Sequence, residues 1–301
     1  MRPETLAPGA NFISNINASI KYSGMIVMIY NFLIGGNEKY GSNRNLICES
    51  TFDCSAKDIN EDVIIAPTWK VDIFKPYVDK INHISGPTGR GYVVNELVIG
   101  NQKITYISTG IGDSNILDAT LALGCTLCKK MIFIGSAGAL DKGIKIGDII
   151  IPEYSVCGVG ANRYIGVGKL KNNDCFGKKY YPDLELFDLI KNITSREILN
   201  THIKYHIGHT FSVSTIFAQY AHLDEIINMG CDSIEMETAS FFDASMVAGI
   251  KSAVIFGVSD NTIARKSLYN GRTAWDIKGK NTTKKEIIPL IVLKTFGSIR
   301  T

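Results

Sequence analysis

Ser233-Ile234-Glu235-Met236-Glu237-Thr238-Ala239-Ser240 is followed, after one helical stretch, by Ala253-Val254-Ile255-Phe256-Gly257-Val258-Ser259-Asp260-Asn261. Both segments place acidic residues at the end of an apolar run, where the strands of a parallel sheet present ligand-binding side chains. Between them, residues 238–249 are rich in small and apolar side chains and read as a largely buried helix. Glu235 and Glu237 stand beside its N-terminus. Unpaired N–H groups and the helix dipole favour negative charge there, so the pair is expected to stay ionised and to accept from ligand hydroxyls. Asp260 closes a β-branched run and is expected to project from a strand end into a crevice.

Working outward, strands are expected near 62–66, 92–99, 103–108, 130–135, 148–156, 202–211 and 252–258. Helices are expected near 72–82, 114–127, 184–194, 215–229, 238–249 and 282–297. Strands alternating with helices across Gly-containing turns predict an α/β fold, a single domain with a mixed central β-sheet flanked by helices. Residues 35–47 read as a loop or linker, and the Gly- and Asn-rich 158–182 as a long surface loop.

With 301 residues and 45% hydrophobic content, the chain can bury one large core. Its 32 basic and 29 acidic residues are dispersed, which argues against a nucleic-acid surface. Seven cysteines, an odd number without a regular framework, point to reduced thiols and a cytoplasmic setting. Cys125 and Cys128 form the single close pair and lack a second pair to complete a zinc site. His202, His206 and His209 fall in a strand-like run and read as structural. The apolar run 25–34 is too short to span a bilayer and follows a polar segment, so it reads as an added strand or helix on the core, with Met25 and Met28 as alternative starts.

Together with Ile134-Gly135-Ser136-Ala137-Gly138-Ala139-Leu140 and Lys145-Ile146-Gly147-Asp148-Ile149-Ile150-Ile151-Pro152, these segments resemble the nucleoside phosphorylase and nucleosidase superfamily. That superfamily includes hexameric purine nucleoside phosphorylase, uridine phosphorylase and methylthioadenosine nucleosidase. The similarity starts near Asp62 and reaches the C-terminal helix. Residues 1–60 therefore read as an N-terminal extension, partly unmatched and expected to be mobile in part, and 61–301 as the phosphorylase-like catalytic domain.

The resemblance implies cleavage of a nucleoside N-glycosidic bond, with phosphorolysis to free base and ribose 1-phosphate as the family default. A purine is preferred, because the Gln-x-Arg pair with which uridine phosphorylases read a pyrimidine has no counterpart. Glu237 would hold the ribose hydroxyls, with Met236 packed on the sugar and Glu235 and Ser259 completing the substrate site. Phe217 matches the aromatic that stacks on the base, beside its reading as a core residue at a helix start. Asp260 would be the general acid at the base, assisted by Arg272, with Arg265 as a competing candidate.

For phosphate, the resemblance matches Arg90, Ser136 and the turn at Thr109 and Gly110. Two further arginines of the family are replaced. Phe133 stands at one position and Asp72 at the other, where like charge would repel a phosphate, and Lys70 offers only part of the compensation. Asp72 is alternatively a water-activating base, as in the nucleosidases, or a surface aspartate at a helix start. Phe52 lies where a histidine for the ribose 5′-hydroxyl is expected, which suggests an apolar 5′ pocket. A hydrolytic nucleosidase acting on a methylthioadenosine-like or other 5′-modified substrate is thus one alternative. A non-catalytic nucleoside-binding or storage relative is another. No metal or organic cofactor is implied, and phosphate is co-substrate if the chain is a phosphorylase. The expected partner is a small-molecule nucleoside, with no nucleic acid and no membrane. A homo-oligomer, a dimer or trimer of dimers, follows if Arg90 completes a neighbour's site.

Overall fold

The structure is a computed structural model that describes residues 24, 26–167 and 169–298. Of the extension over 1–60 expected to be mobile in part, residues 1–23 and 25 lie outside the described residues. The apolar run is helical, within α1 (residues 26–39), and it buries Tyr30 and Ile34 in a cluster with Leu117 and Val247. The loop expected over 35–47 shortens to 40–43, because α2 (Arg44–Phe52) starts early, its N-cap Asn43 accepting from the Leu46 N–H at 3.0 Å.

The wing of the sheet comprises β1 (Asp62–Ala66), β2 (Lys80–Ser85), β3 (Val93–Ile99) and β4 (Gln102–Ser108). Next come α3 (Asp113–Leu123), β5 (Lys130–Ala139), β6 (Ile149–Gly158), β7 (Lys179–Tyr180), α4 (Leu184–Glu197) and β8 (Tyr205–Val213). Two short helices, α5 (Ile216–Gln219) and α6 (Leu223–Asn228), lead to β9 (Ser233–Glu235), α7 (Thr238–Ala248) and β10 (Lys251–Asn261). The chain ends in α8 (Ala274–Thr282), a π-helical turn (Thr283–Ile287) and α9 (Ile288–Thr295).

The ten strands among the described residues belong to one mixed sheet with β5 at its centre. Along one edge β5 runs parallel to β10. Along the other it pairs with β1 only as far as Phe133 and then with β9 from Gly138. β9 continues to β8, β8 to β6, and β6 returns to β10, so five strands close into a barrel while β1, β4, β3 and β2 extend as an open wing. Between Phe133 and Gly138 the neighbours of β5 diverge. Such a split leaves a crevice at strand ends, the location favoured for ligands in open α/β sheets.

Two apolar layers sandwich the sheet. On one side Phe133 makes edge-on contacts with Phe256 and Phe241, at centroid distances of 5.1 and 5.5 Å, beneath α7. On the other, Ile134, Ile255, Trp69 and Tyr106 pack with α4 and α9 residues such as Ile190 and Ile291. These layers establish the single α/β core expected from the pattern.

Several elements differ from expectation for local reasons. The helix expected over 72–82 is a 3₁₀ turn at Val71–Tyr77 followed by β2; Pro76 lacks the N–H a continuing helix needs, and β2 is ordered by pairing with β3. The helix expected over 215–229 breaks between Gln219 and Leu223. The C-terminal helix begins earlier than residue 282, at Ala274, where Thr273 and Asp276 form a reciprocal capping box. β9 went unanticipated because three residues carry too little periodicity.

Candidate active site

A cavity of about 240 Å³ opens at the split beside β5, with Thr68, Ser136, Met236, Glu237, Ser259 and Asp260 in its wall. Glu235 also reaches the wall but spends both carboxyl oxygens on the protein. Its Oε1 accepts from the Ser212 hydroxyl at 2.5 Å, and its Oε2 accepts the N–H groups of Glu237 and Thr238 at 2.7 and 2.8 Å. Glu235 thereby caps α7 through the orphan donors of its first turn and sets the direction in which the next residues leave β9.

Glu237 is held differently. Its Oε1 accepts the Gly112 N–H at 2.8 Å. Gly112, at φ +119°, makes the turn into α3, a conformation that side-chain-bearing residues rarely adopt. Both carboxyls are less than a tenth exposed. Burial, reinforced by the adjacent Glu235, pushes Glu237 up to about 8, and burial raises Glu235 as well. The expectation of an ionised pair therefore fails for Glu237. The donors at its carboxyl do not offset desolvation beside another carboxylate, which shifts Glu237 toward the protonated form.

Asp260 ends β10 at a register shift against β5. The Ser259 hydroxyl donates to its Oδ1 at 2.6 Å, and burial pushes its pKa above the ordinary aspartate value against the opposing effects of that bond and of the Arg272 and Lys280 charges. Gly138 leaves room for it, since a Cβ there would lie 3.1 Å from Asp260 Oδ2. Arg272 donates to the Ser259 carbonyl at 3.4 Å and the Leu268 carbonyl at 2.8 Å, which holds its charge near Asp260. Arg265, exposed and at φ +58°, sits in a surface turn, so Arg272 is the arginine placed beside the acid.

The fold thus gathers Ser136, Glu235, Met236, Glu237, Ser259 and Asp260, with Arg272 behind them, and leaves other candidates outside the wall. Asp72 is 59% exposed and paired with Lys75 at 2.9 Å. Lys70 is exposed, and Arg90 pairs with Asp118 at 2.5 Å on the surface. Thr109 and Gly110 lie in the turn before α3, where the Thr109 hydroxyl donates to the Gly110 carbonyl at 3.0 Å. Phe217 is 86% exposed, while Ile216 and Gln219 of the same short helix line the cavity. Phe52 is fully buried against Tyr92, so it cannot form the expected apolar 5′ pocket. Ile216, Gln219 and Leu268 were not foreseen as lining residues; they carry no motif and reach the cavity through tertiary packing alone.

Two of the three histidines read as structural have partners within the fold: His206 bonds Asp148 at 2.9 Å, and His209 stacks on Tyr154 with centroids 4.3 Å apart. Among the described residues, no group of three or more His, Cys, Asp or Glu is arranged to hold a metal ion, and no helix is long and apolar enough to cross a membrane.

Comparison with known proteins gives a consistent result. A purine nucleoside phosphorylase of the DeoD type from Anoxybacillus flavithermus is 24% identical over 163 residues, covering 54% of this chain and 64% of that relative. The chain thus spans under two thirds of that relative's length. The crystal structure of uridine phosphorylase from Vibrio fischeri superposes with a TM-score of 0.64 at 20% identity, covering 80% of this chain and 93% of the other. That of Campylobacter jejuni 5′-methylthioadenosine/S-adenosyl homocysteine nucleosidase gives 0.62 at 17% identity, covering 80% of this chain and all (100%) of the other. The sequence profile of the Phosphorylase superfamily matches residues 64–284, the span that contains the barrel, the split beside β5 and every residue of the cavity wall, and the chain belongs to that superfamily.

Proposed function

We propose that the cavity binds a nucleoside, with a purine as the base, and breaks its N-glycosidic bond, phosphate being the acceptor. The observation that carries this reading is the placement of two buried carboxyl groups, Glu237 and Asp260, in one cavity wall, each with its acidity shifted toward the protonated form. Burial shifts Asp260 toward the protonated form, which suits it to give a proton to the leaving base. Glu237, beside Met236, is suited to the sugar hydroxyls, and once ionised it favours positive charge on the ribose.

In the step itself the C1′–N bond breaks and its electron pair passes to the base, which takes the proton of Asp260. An oxygen of the acceptor bonds C1′, and the acceptor's proton restores Asp260. With hydrogen phosphate the products are free base and ribose 1-phosphate; with water they are free base and ribose.

Hydrolysis is the second reading, and a specific observation favours it. The residues lining the cavity include three carboxylic acids and no cationic side chain, and the Ser136 hydroxyl already accepts the Trp69 indole N–H at 3.0 Å. The seven free cysteines suit a cytoplasmic salvage enzyme, and Arg90 at the surface suits assembly with a second subunit.

The test is base release from inosine, guanosine, adenosine, methylthioadenosine and uridine, with and without phosphate, identifying the sugar product. Ribose 1-phosphate supports phosphorolysis, and free sugar formed without phosphate supports hydrolysis. Ligand-induced thermal stabilisation without base release would leave a nucleoside-binding protein.

A further inference from the structure

Cys48 and Cys54 flank the C-terminal end of α2, and the way that helix stops brings them together. Asp53 follows the last helical residue in the left-handed conformation, at φ 55° and ψ 33°, and its N–H returns to the Glu49 carbonyl at 2.8 Å. A stop of this kind folds the next side chain back onto the one lying a turn inside the helix. Here the next residue is Cys54 and the residue inside is Cys48. The Cys48 thiol donates to the Cys54 carbonyl at 3.7 Å, and the two thiols stand within hydrogen-bonding reach of each other.

The two sulfurs sit in different surroundings. Cys48 is fully buried in the core cluster that contains Phe52, Tyr92 and Ile116, whereas Cys54 packs on the rim of that cluster and is partly exposed. The Cys48 thiol, aided by the Ser85 hydroxyl, holds Cys54 below the usual thiol range against burial and the Asp58 and Asp53 charges. Facing Cys54 inside the core, Cys48 is pushed up. Its single proton can point either at the Cys54 carbonyl or at the Cys54 sulfur, and ionisation of Cys54 favours the second. The remaining cysteines lack this combination. Cys128, Cys157, Cys175 and Cys231 are buried, and partly exposed Cys125 lies 3.5 Å from the Tyr30 hydroxyl.

We propose that Cys54 and Cys48 form a peroxide-reactive dithiol, in which the partly exposed Cys54 sulfur is the nucleophile, the buried Cys48 sulfur resolves it, and the product is a disulfide across the end of α2. Thiols oxidised reversibly by peroxide are accessible, ionise readily and have a second thiol beside them. In the first step the Cys54 thiolate bonds one oxygen of hydrogen peroxide and the O–O bond breaks. The departing hydroxide takes up the proton that Cys54 released, which gives water and a sulfenic acid. In the second step the Cys48 sulfur bonds the Cys54 sulfur, the S–O bond breaks, and the hydroxide leaves as water with the Cys48 proton. Two thiols lose two electrons and the peroxide is reduced to two waters. Neither cysteine lines the candidate active site, so the proposal is independent of the nucleoside reading.

The experiment is peroxide titration of the full chain, followed by alkylation of the remaining thiols, digestion with trypsin without reduction and mass spectrometry. Cleavage after Arg44 and Lys57 leaves both cysteines in one peptide. In the native protein that peptide should become lighter by two hydrogens and resist alkylation, about tenfold faster than Cys125 is oxidised, and a dithiol reductant should restore it. In Cys48→Ala, dimedone should trap a sulfenic acid on Cys54. In Cys54→Ser, Cys48 should stay reduced at the same peroxide dose. A native peptide that keeps two alkylatable thiols until Cys125 has been oxidised overturns the proposal, whatever the variants do. So does oxidation of Cys48 in Cys54→Ser at the native rate, which would make the buried sulfur the point of attack.

Discussion

The main-chain N–H of Gly112 donates to Glu237 Oε1 at 2.8 Å, joining the turn before α3 to the start of α7 across 125 residues of sequence. This bond aims the carboxyl into the cavity and leaves Glu237 short of the donors that would keep it ionised.

The pH dependence of stability follows. Glu237 in the folded state holds its proton up to about pH 8, well above the ordinary carboxylate range. Between the two values the folded state binds more protons than the unfolded chain, so stability falls as pH rises, by at most about 1.4 kcal/mol per unit from this group. Glu237→Gln should flatten that decline and melt higher than the native protein at pH 8, while losing most base release. Melting curves at pH 5 and 8 check it, and parallel declines in both proteins would contradict it.

Asp260→Asn removes the proton proposed for the leaving base and keeps the shape of the side chain. Base release should fall by about 10²- to 10⁴-fold, the usual contribution of a general acid. Because burial disfavours the Asp260 charge, the melting temperature should hold or rise. Turnover and melting measured on the same sample separate loss of chemistry from loss of fold.

Glu235 should behave as a structural residue. With three hydrogen bonds in a buried setting, Glu235→Ala would leave the main-chain N–H groups of Glu237 and Thr238 unpaired, at a cost of roughly 1–3 kcal/mol for each, and would take one of its partners from the Ser212 hydroxyl, which keeps Ser155 and the Ala239 N–H. Chemical denaturation should show a clear loss of stability. Unchanged stability with reduced turnover would instead make Glu235 a direct ligand of the substrate.

Gly138→Ala tests the close approach behind Asp260. The added methyl would stand 3.1 Å from Asp260 Oδ2 and 3.3 Å from Ile234 Cγ2, so one of them must shift by a few tenths of an ångström. Turnover should drop about tenfold or more with little change in melting, since a small misplacement of a catalytic group is costly. Steady-state kinetics on the variant decide the matter.

Much of this site was legible before folding was considered. Glu235, Glu237 and Asp260 were marked by acidic residues terminating apolar runs, and most strands by their apolar, β-branched runs. Less was legible where partners are distant. No local pattern distinguishes Gln219 and Ile216, which line the cavity, from Phe217, which is exposed. Phe52, expected at a ligand, is consumed by the core because it packs on Tyr92. The lysines of the α8–α9 turn look like an ordinary solvated face until Trp69 is brought beneath one of them.

By itself the sequence determined the order of strands and helices, the α/β class and the carboxylates at strand ends, because periodicity and chain direction are local properties. Only the tertiary structure decided which carboxylate anchors α7 and which stays available, since Glu235 meets Ser212 from β8 while Glu237 meets Gly112 from the turn before α3. It also decided the burial that shifts them toward the protonated form, and the placing of Lys284 over Trp69. Desolvation and the summed field of neighbouring charges depend on groups far apart in the chain, and these come together when the five-stranded barrel closes around β5.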